Sequence, residues 1–248
     1  MAIKNFAILG ERCSGTNYLE EVIKLNFGLP YTSVYGNKHF FCFTDYSEFR
    51  DVDNTLFIGI VRNPIYWLNS LSKELYHVSN NNRQTLKTFL FDEFYSVCNE
   101  ININNQPDNK NFFLIDNKPY VTQYEVNKND LNYKTGNKYK NIFELRKEKN
   151  DYLMKVMPTK VKNYVLINYE NLLFNFENTL ELITKNFNLT KQFMYYTNVA
   201  KYKKTEEYKF VCQRKITFSD KIIDILWDNL DEVQELLLGY LKDDNNNS

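Results

Sequence analysis

Residues 55–61, Thr-Leu-Phe-Ile-Gly-Ile-Val, are apolar almost without interruption. A strand with one wet face alternates apolar and polar residues. A run without alternation belongs to a strand covered on both faces, as in a parallel sheet between helical layers. Residues 3–9, IKNFAIL, read as a second strand of this kind, ending at Gly10. The stretch 16–27 then places Leu19, Val22, Ile23 and Phe27 on one helical stripe. Residues 32–43 are a further strand candidate, interrupted at Gly36, and residues 164–167 another. Helices are expected from Pro64, which suits a first helical turn, over 176–187, and over 220–241 with Ser219 as N-cap. This alternation of strand and helix implies an α/β fold, a central parallel sheet flanked by helices on both faces.

The 248 residues suit one domain, expected over 1–242. Residues 99–141 are polar and punctuated by Pro107, Pro119 and Gly136, and read as an insertion or a lid over a pocket. The ending DDNNNS, 243–248, reads as a disordered tail. Lys plus Arg and Asp plus Glu both number 31, so no global basic field exists for a nucleic-acid polymer. Cys13, Cys42, Cys98 and Cys212 lie far apart and only two histidines are present, so no metal site is expected. No run approaches the ~18 apolar residues of a membrane span. The opening MAIKNFAILGERCSG does not read as a signal peptide. The expectation is a soluble cytoplasmic protein.

The loop Gly10-Glu11-Arg12-Cys13-Ser14-Gly15-Thr16-Asn17 joins the first strand to the first helix. Such a turn aims backbone N–H groups and the positive helix end at one spot, where an anion belongs. Its G-x-x-x-x-G spacing matches the triphosphate-binding loop, but Thr16-Asn17 replaces the Lys-Ser/Thr that contacts phosphates and Mg²⁺. A nucleoside triphosphatase is disfavoured on that ground. A cysteine phosphatase built on Cys13 would need an arginine six positions on, where Leu19 stands. At the other strand's carboxyl end comes Arg62-Asn63-Pro64, with Ser70 eight residues after the arginine. Open α/β sheets bind ligands at that end.

The CSGTNYL loop, the pair Lys38-His39, and V-R-N-P with its later serine resemble, in this order, the PAPS-dependent sulfotransferases. Asn168-Tyr169-Glu170-Asn171-Leu172 resembles a Y-E-D-L stretch of the family, and Leu238-Gly239-Tyr240 its L-G-Y ending. The resemblance implies a P-loop-type sheet. It also implies that Arg12, Cys13, Ser14, Gly15, Thr16 and Asn17 hold the 5′-phosphosulfate of 3′-phosphoadenylyl sulfate (PAPS), and that Tyr18 stacks on adenine. Arg62 and Ser70, with Arg214-Lys215, take the 3′-phosphate. Two departures stand out: Cys13 replaces the basic residue usual before S-G-T, and Lys38-His39 compresses a K-x-H segment.

The resemblance assigns catalysis to His39 as general base, with Lys38 or Arg12 stabilising charge on the bridging oxygen. Glu20 and Glu21 rank second as bases, and His77 is a pocket or surface residue. The expected reaction is sulfuryl transfer from PAPS, without metal, to a hydroxyl or amine of a small molecule or glycan, leaving adenosine 3′,5′-bisphosphate (PAP). The alternatives are a P-loop nucleotide or sugar kinase, and a non-catalytic nucleotide-binding protein.

Overall fold

A computed structural model of the protein describes residues 2–97, 113–115, 118–121, 129–199 and 215–242. In order, the elements are β1 (Asn5–Leu9), α1 (Thr16–Phe27), β2 (Thr55–Val61), α2 (Pro64–Leu71), α3 (Leu86–Phe91), β3 (Ser96–Val97), β4 (Phe113–Ile115), β5 (Lys118–Val121), β6 (Asn129–Asp130), α4 (Ile142–Asp151), α5 (Met157–Lys160), β7 (Tyr164–Asn168), α6 (Tyr169–Phe174), α7 (Phe176–Phe187), α8 (Asp220–Asn229) and α9 (Glu232–Leu237). A π-helical turn, Tyr152–Val156, links α4 to α5.

The fold is α/β, around a small three-stranded parallel sheet of order β1-β2-β7. All seven residues of β2, the central strand, are buried, as its unbroken apolar run requires. Its period of two sorts the side chains into two cores. Leu56, Ile58 and Ile60 join Phe6 and Ile8 under Leu19, Val22 and Ile23 of α1 and Leu180 and Ile183 of α7. Phe57 and Val61 join Ala7 and Leu9 on the opposite face, against Ile65, Trp67 and Leu68 of α2, Ile142 and Leu145 of α4, and Leu226 of α8. Each large side chain buried this way contributes about 1.5–3 kcal/mol. The glycine that interrupts the run has its own cause: a Cβ on Gly59 would strike the Tyr164 hydroxyl and Leu166 of β7.

The further strand expected over 32–43 does not form. Only Tyr31 bridges, in parallel, to Phe6. Beyond it the backbone bonds mostly within the turn, from Gly36 N to Ser33 O (3.0 Å) and from Phe40 N to Asn37 O (3.1 Å), with Lys38 O accepting from Gly10 N (3.0 Å). Gly36 (φ 109) and Cys42 (φ 94) take positive φ. Local turns therefore outcompete a ladder. The helix expected over 220–241 is also divided. Extended backbone at Leu230 ends α8, and the Asp231 carboxylate caps α9 by accepting from Gln234 N (3.0 Å). Ser219 stands at the N-cap of α8, but its side chain makes no capping bond.

From β1 the chain moves outward to Tyr31, whereas β2 leads the other way to β7. The two connections diverge at the carboxyl ends of β1 and β2. Such a switch point opens a crevice in parallel sheets. The described ends of the expected insertion converge beside it: β3 pairs antiparallel with β6, Ser96 opposite Asp130, and Phe94 bridges Tyr139. Most of 99–141, together with Arg214, Cys98, Cys212 and 243–248, lies outside the described residues.

Candidate functional site

The loop between β1 and α1 is held by its carbonyl groups. Gly10 O lies 2.8 Å from His39 Nδ1, and Glu11 O accepts from Ser14 N at 3.1 Å. Arg12 O accepts from Trp67 Nε1 (2.9 Å) and Cys13 O from Arg62 Nη1 (2.9 Å). Four consecutive carbonyls are thus committed. In a trans peptide the C=O and the following N–H point in opposite directions. The loop runs directly into the start of α1, and the first N–H groups of a helix lack intrahelical partners.

Two left-handed residues make the turn, Cys13 (φ 65) and Gly15 (φ 91). Gly15 is required twice over, because a Cβ there would also collide with the Tyr169 ring. Ser14, Thr16 and Tyr18 are buried, whereas Cys13, Gly15 and Asn17 are partly exposed. What the loop offers an anion is therefore chiefly backbone. Tyr18 does not present its ring to the loop's open side. It is 3 % exposed, meets Tyr169 edge-on and donates from its hydroxyl to Asn198 Oδ1 (2.7 Å).

Arg62 and Ser70, expected to converge, both meet Cys13. Arg62 binds its carbonyl, and the Ser70 hydroxyl lies within hydrogen-bonding reach of its thiol. Burial pushes that thiol's pKa up against the opposing pull of Ser70, Arg12 and Arg62. The Arg62 guanidinium packs over the Tyr169 ring, 4.8 Å from its centroid. Its Nε is buried with no hydrogen-bond partner among the described residues. A buried guanidinium donor without an acceptor is costly, and an anion within its reach would satisfy it.

The backbone around Arg62 is fixed by two side chains. Arg146 Nη2 donates to Arg62 O (3.0 Å) while its own guanidinium is paired with Glu235. Glu170 accepts from Asn63 N (3.1 Å) and from the Tyr240 hydroxyl (2.9 Å). The N-Y-E-N-L and L-G-Y segments thus meet the V-R-N-P junction in space. The Lys215 segment docks on α2: Asn69 Nδ2 donates to Lys215 O (3.2 Å), and Thr217 N donates back to Asn69 Oδ1 (3.0 Å). That brings the backbone at Lys215 beside Ser70. The Lys215 side chain is exposed.

The turn at 36–40 lets Lys38 and His39 both reach the loop. Lys38 Nζ donates to Asn17 Oδ1 (2.6 Å) and to Glu20 Oε2 (3.1 Å) on α1. Burial works to raise the Glu20 pKa, but the bonds from Lys24 and Lys38 prevail and hold it below the usual range. Glu20 is therefore a charged partner of lysines and a poor proton acceptor. His39 is partly exposed, and its pKa lies well below 6.5. Burial is the main cause, with Lys38, Arg12 and Lys149 adding positive charge, against a hydrogen bond to Gly10. A carbonyl only accepts, so the neutral ring carries its proton on Nδ1 and leaves the Nε2 lone pair free.

Arg12 turns away from the loop's open side, donating to Tyr76 O (3.2 Å) and to Ser96 Oγ (2.6 Å). His77 sits on a strained backbone (φ 65), edge-on to Phe40 and Tyr76.

No family model, curated protein or solved structure matches this chain.

The interpretation therefore rests on geometry. Three residues without a role in the sequence reading emerge from it: Tyr169 as the floor under Gly15 and Arg62, Trp67 as a clamp on the loop, and Lys149. Tyr169 carried a signal, since it lies within a quoted motif. Lys149 carried none, being one lysine in the charged run Arg146-Lys147-Glu148-Lys149. Among the described residues no group of three or more His, Cys, Asp or Glu side chains is arranged to hold a metal ion, and no helix is long and apolar enough to cross a membrane.

Proposed function

We propose that the protein is a PAPS-dependent sulfotransferase on a P-loop-type sheet, acting on a hydroxyl or amine of a small molecule or glycan. The observation that carries this reading is the hydrogen bond between His39 Nδ1 and the Gly10 carbonyl. It joins a neutral imidazole, with Nε2 free, to the first residue of an anion-binding loop. A kinase loop of this spacing has Lys and Ser/Thr there for phosphates and Mg²⁺, which Thr16 and Asn17 do not supply.

His39 Nε2 takes the proton from the acceptor hydroxyl as the acceptor oxygen bonds to sulfur. The bond from sulfur to the 5′-phosphate oxygen breaks, and PAP leaves with the electron pair. Lys38 and the N–H groups of the loop meet the charge that grows on that oxygen. Arg62 and Ser70 hold the 3′-phosphate, with the Lys215 segment beside them. A polyanionic donor offsets the positive charge around His39 and raises its basicity on binding.

Arg12, tied to Tyr76 and Ser96, and Cys13 in the place of a basic residue favour one second reading, a protein that binds the nucleotide without transfer. Transfer of labelled sulfate from PAPS to mixed phenol, alcohol and sugar acceptors separates the two. Wild type should transfer, and His39→Ala should transfer about 10²–10⁴-fold more slowly with PAP binding retained. PAP binding with no transfer by wild type supports the second reading.

A further inference from the structure

Beneath the loop lies a buried charged cluster to which the proposed chemistry gives no part. Lys149, on α4, is fully buried. An ammonium has three N–H donors, and here each meets an oxygen from a different part of the chain. They are the Glu11 carboxylate of the loop, the His39 carbonyl (2.7 Å) and Asp130 Oδ2 of β6 (2.5 Å). Above them, Gly10 exchanges two bonds with the same turn: Gly10 N donates to Lys38 O (3.0 Å), and His39 Nδ1 to Gly10 O (2.8 Å).

Desolvating an ammonium and two carboxylates costs several kcal/mol per ion, and a packed apolar cluster would serve stability as well or better. The cluster needs a reason beyond stability, and its three contacts supply one. Loop and base turn are separate segments, 10–15 and 36–40, each without regular structure. Lys149 is the one side chain among the described residues that bonds to both and to the β3–β6 ribbon.

We propose that Lys149 is a positioning residue for His39: its ammonium locks the His39 main chain to Glu11 of the loop and to Asp130, so that imidazole and anion loop are held as one unit. The proposal rests on His39 being the base. Reactive geometry tolerates little slack, and a displacement of about 1 Å costs on the order of 10²-fold in rate. The charged groups facing His39 are Lys38, Arg12 and Lys149; those facing Lys149 are Glu11, Asp130 and the Cys42 thiol.

The test is a variant that removes the lock without leaving an unpaired buried charge: Glu11→Gln, Asp130→Asn and Lys149→Met together, checked for folding by thermal melting. The chain has only two histidines, so the ¹⁵N signals of His39 are assigned by comparison with His77→Gln. In wild type the ring should stay neutral, with Nδ1–H, well below pH 6.5. In the variant it should lose its fixed tautomer and titrate closer to 6.5. The acid limb of kcat/KM should shift the same way, and kcat should fall about 10–100-fold. An unchanged tautomer and titration in the folded variant overturns the proposal. If the triple variant does not fold, Lys149→Arg reads the same link. A guanidinium fork cannot replace three ammonium contacts in place, so His39 signals should move while those of His77 stay; unmoved His39 signals overturn the proposal. The NMR readout does not depend on turnover. Altered His39 signals with no transfer by wild type would uphold the lock and discard the sulfotransferase reading.

Discussion

Arg62 gathers several requirements of anion binding into one side chain. Nη1 is spent on the Cys13 carbonyl, the plane packs on Tyr169, and Nε stays buried with no partner among the described residues. Hydrogen bonds to charged groups are worth about 1.5–3 kcal/mol. Arg62→Ala should therefore weaken PAP binding about 10–100-fold, read by calorimetry. Melting measured alongside accounts for the lost tie to Cys13. Unchanged affinity would remove the 3′-phosphate from this site. Tyr18 teaches a different lesson at this scale. Its place in the motif suggested a stacking platform, but α1 turns it into the core, where Tyr169 and Asn198 receive it.

At the scale of elements, the periodic segments were legible and the aperiodic ones were not. β2 follows its apolar run, α1 and α7 their stripes, and α2 starts at Pro64 with Asn63 Oδ1 accepting from Ile65 N (3.0 Å). The turn at 32–43 differs from the strand that its apolar residues suggest, because those residues suit either state and local hydrogen bonding, with Gly36 and Cys42 at positive φ, decides it. Of the site, the loop, Lys38-His39, Arg62 and Ser70 were readable as motifs. Lys149 and Asp130 were not, since their meaning comes from a packing of α4, β6 and the loop that no local pattern encodes. The loop itself yields a prediction. Gly15→Ala places a methyl group against Tyr169 and forces a non-glycine residue to φ 91. The strain is of order 1–3 kcal/mol before the clash is counted. For a chain of this size the melting temperature should fall by about 2–4 °C per kcal/mol, and PAP binding should weaken with it. A variant that melts and binds like wild type would show that the turn at Gly15 does not build the site.

For the whole molecule, equal totals of acidic and basic residues conceal a sorted interior. Arg146 with Glu235 and Lys149 with Glu11 and Asp130 are buried, while Lys38, Arg62 and the Lys215 segment border the loop. The buried titrating groups give stability a pH dependence. The Asp130 pKa is pushed up to about 7, by burial first and by Glu11, against the pull of Lys149. Between 3.8 and about 7 the folded state then holds more protons than the unfolded state, so stability falls as pH rises through that window. His39 acts oppositely, its depressed pKa costing stability as pH drops below 6.5. The two slopes oppose each other, and above 6.5 the His39 slope fades while the Asp130 slope persists to about 7. Melting temperature should decline as pH rises from 6.5 through about 7. The decline should flatten in Asp130→Asn; the same decline in that variant would assign the slope to another group.

Under the proposed function, the carboxyl ends of β1 and β2 hold a nucleotide carrying both a 5′-anion and a 3′-phosphate. Calorimetric titration with PAP and with adenosine 5′-monophosphate, side by side and without added metal, is the decisive measurement. PAP should bind at least about 10-fold more tightly, the difference being the charge-assisted bonds of Arg62 and Ser70 to the 3′-phosphate. Equal affinities, or tighter binding of Mg²⁺-ATP than of either, would rule out a PAP site here.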